Sequence, residues 1–284
     1  MPRLSTTDAP QPAAVPRSKS LSLGVIVPRS RLYGPVATLA AVVGAAHENG
    51  FGTMIATVAP GTRNSFADAV LRLNSSPLDG IVVIAPHTPA DTVAAALPVV
   101  LVGGSGDAAE SRVFVDQYEG ARLATEHLLS LGHQSVWHVS GPEHSLESRA
   151  RERGWRDTLE ERGAHQPPLV RGDWSSHSGY VAGSLLAHEP DVDAVFVAND
   201  QMAFGVIRAF TEAGIAVPRD VRVVGFDDVP EAAYTTPSLS TVRQEFAELG
   251  KRALHALVSR IGGGSVEQLR LRPQFLVRES TFPQ

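Results

Sequence analysis

The sequence predicts an α/β protein built as two doubly wound, parallel-sheet lobes joined by a hinge. Three observations predict it. Short, uniformly apolar segments recur along the chain, and strands apolar at every position are those buried on both faces, as in parallel sheets covered by helices. Helix-length segments separate them, and strand–helix alternation of this kind builds right-handed βαβ units. At 284 residues the chain is too long for one small domain and suits two lobes of ordinary size.

The elements run in this order. Residues 1–20 contain Pro10, Pro12 and Pro16 and little that can be buried, which predicts a disordered tail. A first run then reads as strand 21–28, Ala-rich helix 34–49 ending before Gly50, strand 51–58, helix 65–74, strand 79–85 (DGIVVIA), strand 98–103, and an edge strand 112–115 leading into helix 118–131. A second run reads as strand 135–140, helix 148–162, strand 169–172, helix 178–188, strand 194–198 (AVFVA), helix 202–213 and strand 221–226 (VRVVGF). After Pro237 come a linker, helix 245–261, a glycine break at 262–264 and a last strand at 275–279. One helix and one strand are too little for a third domain. They are expected to pack back onto the lobes, and several crossings between lobes make a hinge. The lobes are assigned as 21–132 with 243–273, and 133–242 with 274–284.

Composition narrows the function. The chain is 43% hydrophobic and 19% charged, values of a soluble globular protein with a real core. Its formal net charge is −5 with no basic stripe, so the chain alone is not expected to grip nucleic acid. With no cysteine, disulfides, thiolate catalysis and thiolate metal sites are excluded. No run reaches the ~18 apolar residues of a membrane span, and the first twenty residues lack the apolar core of a signal peptide, which predicts a cytoplasmic protein with no membrane partner. The ten histidines are scattered without metal spacing, so neither a metal nor a cofactor is expected. There is no Gly-x-Ser-x-Gly elbow, no Gly-x-x-x-x-Gly-Lys loop and no His-Glu-x-x-His. Asp227 and Asp228 are adjacent on a turn, where two carboxylates seldom converge on one substrate atom. No catalytic residue is assigned, and the chain is read as a non-enzyme.

Open parallel sheets bind ligands beyond the carboxyl ends of their strands. Polar residues just after the strands are therefore the candidates: 28–33, 141–151, 199–200 and 227–228, all facing one crevice. Arg151 can donate two parallel hydrogen bonds to neighbouring hydroxyls; the plainer reading is a surface Arg in a charge-rich helix. Asp227 would accept from ligand hydroxyls, or cap the short helix after Val229, a role Asp228 could also fill. Asn199 can donate and accept, or cap a helix. Trp174 offers an indole face to the apolar face of a pyranose, or packs half-buried. Gln244, Glu147, Glu119, Leu32 and Tyr33 complete the set of candidate ligand contacts.

Several segments together carry a family resemblance: LSLGVIVP at 21–28, VDQYEGARLATEHLL at 115–129 followed by Gly132 and His133, GPEHSLESRARERGW at 141–155, GDWSSHSGY at 172–180, VANDQMAFGVIRAFTEAGIAVPRDVRVVG at 197–225 continuing through Phe226, Asp227 and Asp228 to Pro237, LSTVRQ at 239–244 and LVREST at 276–281. In this order and spacing they resemble the effector-binding core of the lac/gal repressor (LacI/GalR) family of transcription regulators, with its lac-type members closest in pattern. The resemblance implies the periplasmic-binding-protein type I fold, with a small sugar effector in the cleft. It implies a ligand-binding Arg at Arg151, three residues before Gly154-Trp155, and a Trp at Trp174. It also implies a homodimer, and operator DNA contacted only through a helix-turn-helix head that this chain does not contain. The loop 29–34 departs from the family's commoner Asn-Pro-aromatic pattern. Helix 34–49 is apolar nearly all round, so it must be covered on more than one side, within its own lobe or by a second copy. The alternative is the sugar-binding protein of a transport system, which shares the fold.

Overall fold

The computed structural model describes residues 20–59, 64–73, 75–84, 97–104, 111–265 and 268–282. The expected tail lies outside these residues except for Ser20. The described elements are β1 (Ser22–Pro28), α1 (Tyr33–Glu48), β2 (Gly52–Val58), α2 (Asn64–Leu73), β3 (Gly80–Ile84), β4 (Val99–Val102), β5 (Arg112–Val115), α3 (Gln117–Ser130), β6 (Trp137–Ser140), α4 (Leu146–Glu161), β7 (Val170–Arg171), α5 (Ser176–Leu186), β8 (Ala194–Val197), α6 (Asp200–Glu212), β9 (Arg222–Asp227), β10 (Ser240–Arg243), α7 (Phe246–Ile261), β11 (Leu269–Leu271) and β12 (Gln274–Leu276). They form two six-stranded sheets, ordered β11-β5-β4-β3-β1-β2 and β12-β10-β9-β8-β6-β7. β12 runs antiparallel to β10; the other strand pairs are parallel.

Each sheet is covered on both faces, as its apolar strands require. On the first, Val25, Val82 and Val100 pack against Val42 and Ala46 of α1 and Leu249 and Leu257 of α7. Its other face packs Ile26, Ile81 and Leu101 on Ala69 and Leu73 of α2. On the second, Val139, Val195 and Val223 meet Ala182 of α5 and Met202, Val206 and Phe210 of α6. Its opposite face packs Phe196, Phe226 and Val242 on α3 and α4. The α5–α6 pair is held at backbone contact: a Cβ on Gly179 would collide with the Met202 carbonyl, and one on Gly205 with that of Ser176.

Several helices begin earlier than the apolar pattern predicts, because their caps set the start. Ser145, Ser175 and Asn199 are the N-caps of α4, α5 and α6, each accepting from the amide three residues on. Polar first-turn residues such as Asp200 are therefore helical.

Two further differences concern the chain end and the lobe boundary. The expected linker contains β10, between β9 and β12. It is hard to see in sequence because Ser240 and Thr241 are polar yet fully buried. Their hydroxyls are satisfied internally: Ser240 donates to the Arg278 carbonyl at 3.0 Å and Thr241 to Asp200 Oδ1 at 2.6 Å. β11 pairs with β5 in the first sheet, whereas β12 joins the second. Helix α3, expected with the first lobe, buries Ala121, Ala124 and Leu128 against Trp155, Phe196 and Phe226 of the second. The chain thus passes between sheets after β5, after β10 and between β11 and β12.

Helix α1 buries Thr38, Val42, Ala45 and Ala46. Its Val36 remains 49% exposed, beside an edge strand β2 whose Met54 and Ile55 are 36% and 48% exposed. Burial within the lobe covers only part of this helix. Among the described residues no helix is long and apolar enough to cross a membrane.

Candidate ligand-binding cleft

The carboxyl ends of the two sheets converge between the lobes. Past β1, Tyr33 packs against the core cluster of the second lobe that contains Val229 and Trp174. Past β4, the Gly104 amide donates to Glu147 Oε1 on α4 at 2.9 Å. Past β5, Asp116 caps α3 by accepting from the Glu119 amide at 3.0 Å, which sets Gln117 at the start of the helix. The second sheet supplies Gly141 past β6, Asn199 past β8, and Asp227 and Asp228 at the end of β9.

Four buried side chains close a ring here. Arg151 Nε donates to Gln117 Oε1 at 2.9 Å. Gln117 Nε2 donates to Gln244 Oε1 at 2.9 Å, and Gln244 Nε2 donates to Asp227 Oδ1 at 2.6 Å. Arg151 Nη2 stands 3.6 Å from the same Asp227 oxygen. Arg151 also donates through Nη1 to the Ala198 carbonyl. Its guanidinium lies 3.7 Å above the centre of the Phe226 ring and 5.4 Å from that of Trp174. A cation so placed is held by an aromatic face as well as by hydrogen bonds.

Charge in the ring is governed by desolvation. Burial pushes the Asp227 carboxyl up to about 6, against the opposing pull of Arg151 and the Gln244 hydrogen bond. Burial lowers the Arg151 guanidinium, while Asp227, Glu147 and Asp200 raise it. Asp200 is fully buried, and desolvation followed by repulsion from Asp227 holds its carboxyl well above the usual range. It accepts from the Val229 amide at 2.8 Å and from Thr241 Oγ1 at 2.6 Å, fixing the turn that presents Asp227. That turn is strained: Asp227 and Asp228 have φ of 110° and 55°, a region disfavoured for side-chain-bearing residues. Neither aspartate caps the short 3-10 helix at Pro230–Ala233, whose N-cap is Val229 with no side-chain bond. Asp228 instead bridges Arg243 Nε at 2.7 Å and Arg278 Nη2 at 2.6 Å.

The remaining candidates divide. Asn199 is committed to structure: Oδ1 accepts from the Met202 amide at 3.0 Å, and Nδ2 donates to the Trp174 carbonyl at 3.1 Å and to Gln201 Oε1 at 2.9 Å. Trp174 is half-buried with φ of 76°. Besides taking the Gly104 amide, Glu147 accepts from Ser145 Oγ at 2.9 Å, so it ties the lobes together. Tyr33 meets Phe246 edge to face, with ring centres 5.5 Å apart. Burial and the nearby Asp227, Asp228, Glu231 and Asp200 raise its hydroxyl pKa. Leu32 holds the N-cap position of α1, half-buried, its amide donating to Ser30 Oγ at 3.0 Å. Glu119 is paired with Arg122 at 3.5 Å on α3 rather than with the ring.

Sequence reasoning missed Gln117, Phe226 and Phe246. Gln117 carries the same signal that finds Asn199, a polar residue just past a strand end. The two phenylalanines carry none, since a ring under a guanidinium (Phe226) or against a tyrosine (Phe246) reads as ordinary core. The arrangement offers a buried cation, a carboxylate, two amides and an indole, groups that recognise a hydroxyl-bearing ring with one apolar face. No group of three or more side chains able to hold a metal is found among the described residues.

Residues 125–281 match the periplasmic binding protein-like domain family. Over 270 residues the chain is 32% identical to the lactose operon repressor of Escherichia coli K12, covering 93% of this chain and 75% of that protein. The fold matches the lac repressor dimer bound to operator and the anti-inducer ONPF, with a TM-score of 0.88 and 29% identity over 93% of this chain and 95% of that one. It also matches the transcriptional regulator CelR in complex with cellobiose, with a TM-score of 0.81 and 28% identity over 91% and 84%.

Proposed function

Because the chain belongs to the lac/gal repressor family of transcription regulators and carries its periplasmic-binding-protein-like core, we propose that it senses a small sugar in the cleft between its lobes and couples that binding to DNA binding. The carrying observation is the ring of Arg151, Gln117, Gln244 and Asp227 beside Trp174. The guanidinium donates to sugar hydroxyls, the amides donate to or accept from them, Asp227 accepts, and the indole takes an apolar ring face. Tyr33, Leu32 and Glu147 border the ligand, Asn199 holds the Trp174 loop, and Glu119 is its most peripheral candidate.

The lobes move about the segments that cross between the sheets. Gln117 and Gln244 both lie in such segments and both belong to the ring. A ligand that prefers one arrangement of the ring therefore shifts the equilibrium between lobe arrangements. The α1 and β2 face with exposed Val36, Met54 and Ile55 meets a second copy in a homodimer. Operator DNA is engaged through a helix-turn-helix head outside this sequence. The protein acts in the cytoplasm and turns nothing over. The transport-protein alternative is not favoured, since the similar proteins are repressors and regulators.

The test is thermal stability of the purified chain against galactosides, glucosides, disaccharides, pentoses, nucleosides and purine bases. A ligand at ~100 times its Kd adds roughly 2.7 kcal/mol to the folded state, several degrees in Tm for a chain this size. A shift with a sugar class supports the proposal. A shift only with a base or nucleoside keeps the fold and rejects the sugar.

A further inference from the structure

The benzo ring of the Trp174 indole is packed against Gly141, the first residue past β6. A Cβ built on Gly141 would overlap Cη2 and Cζ2 of the indole and lie 2.7 Å from Cε2, closer than real side-chain contacts allow. Gly141 is buried, and its φ is not among the positive values found at other glycines. Backbone freedom is therefore not what this position uses; it uses the missing side chain.

The loop that carries Trp174 has little room to give way. Asn199 Nδ2 holds the Trp174 carbonyl at 3.1 Å. Asp173 Oδ1 accepts from the Ser175 amide at 2.9 Å and from its hydroxyl at 2.5 Å. The Asp173 amide donates to Ser178 Oγ at 3.0 Å, and the Gly172 amide donates to the Ser140 carbonyl at 2.7 Å. A Cβ on Gly172 would strike the Met202 sulfur, so the backbone on that side is packed as well. With loop and strand end both held by hydrogen bonds, the indole is the group that must give way, and the Arg151 guanidinium that it would disturb lies 5.4 Å from its ring centre.

We infer that Gly141 is a positioning and specificity-determining residue: the absence of a side chain there seats the Trp174 indole and so sets the depth of the ligand pocket. The inference rests on the proposed role of the cleft. Any side chain at 141 shallows the pocket by displacing the platform, without touching the ligand.

A double-substitution cycle tests this on the full chain, with Gly141→Ala, Trp174→Phe and the pair together. Difference fluorescence against the matching Trp174→Phe protein isolates the Trp174 signal from Trp137 and Trp155. In Gly141→Ala the Trp174 emission is expected to move to longer wavelength and its near-UV dichroism to change. Far-UV dichroism and the Trp155 signal should stay put, which a general loss of fold would not allow. Binding of lactose, cellobiose and ribose is measured in parallel. The probe that binds the parent should lose roughly tenfold or more in affinity on Gly141→Ala, and lose little further when that change is made in the Trp174→Phe background. An unchanged Trp174 spectrum overturns the inference. So does an equal affinity loss in both backgrounds, which would make Gly141 act independently of the indole. If none of the three sugars binds any variant, the reading of these sugars as effectors fails, while the spectral arm still decides whether Gly141 seats Trp174.

Discussion

Gln244 Nε2 donates a 2.6 Å hydrogen bond to Asp227 Oδ1, tying the segment where the chain crosses to α7 to the strained end of β9. In the proposed mode of binding, ligand and lobe geometry share these atoms, and a ligand competing for Asp227 Oδ1 acts directly on a segment that crosses between the sheets.

Removing the cation at the centre of the ring should separate binding from folding. In Arg151→Ala, Asp227 loses its favourable partner, and its carboxyl, already near 6, rises further and is neutralised. Neutralisation limits the stability loss to roughly 1–3 kcal/mol, the cost of unpaired buried polar groups. Sugar binding should vanish while far-UV dichroism is kept. Parent-like affinity in a thermal-shift titration would take Arg151 out of the site.

Asp227 should leave a mark in the pH dependence. Its folded pKa, about 6, lies above the unfolded value of about 3.9. The folded state therefore binds more protons in that interval, and this group costs stability above it. The cost is relieved as pH falls through about 6 and is gone below about 4. Comparing Tm of the parent and Asp227→Asn between pH 4.5 and 7.5 checks the sign: the parent should lose stability relative to the variant as pH rises. Ligand hydroxyls donating to the ionised carboxylate should also bind more tightly at pH 7.5 than at pH 5. A parallel pair of Tm curves would refute the assignment.

Glu147 links the lobes through the Gly104 amide. Glu147→Ala should cost about 1–2 kcal/mol by leaving that donor without its acceptor and loosen the ligand-free arrangement of the lobes. Small-angle scattering should report a larger radius of gyration than the parent. An equal radius would mean that other contacts hold the lobes.

The exposed apolar face of α1 and β2 makes a claim about assembly. The parent should run as a dimer in light scattering at micromolar concentration. Ile55→Asp, 48% exposed in the single chain, should give a monomer with an unchanged fold, since a charge is tolerated in water but not inside an interface. A dimer that survives the substitution would place the interface elsewhere.

With a net charge of −5, this chain should form no specific complex with operator DNA in a gel shift at physiological salt. A specific band would show that this core reads DNA itself.

The two-lobe α/β architecture was legible in residue order because strands such as β3, β4 and β8 lie buried between helices and carry no polar side chain. That Asp227 and Asn199 lie at the crevice was legible because parallel sheets present the residues at their strand ends to one side, whereas Gln244 was picked out only by its place after the lobe crossing. β10 was not, since buried Ser240 and Thr241 look polar until their partners Arg278 and Asp200 are known. Nor was the lobe of α3, because an amphipathic helix shows that it has an apolar face but not which sheet covers it. Gln117 and Phe226 contact Arg151, Asn199 caps α6 and holds the Trp174 carbonyl, and Glu119 pairs with Arg122. What the sequence determined by itself was periodicity and the chemistry available at strand ends, which are local properties of the chain. Which groups pair, which are desolvated and which remain free for a ligand was decided by tertiary contacts between residues as distant as Gln117 and Gln244, and no local pattern encodes those.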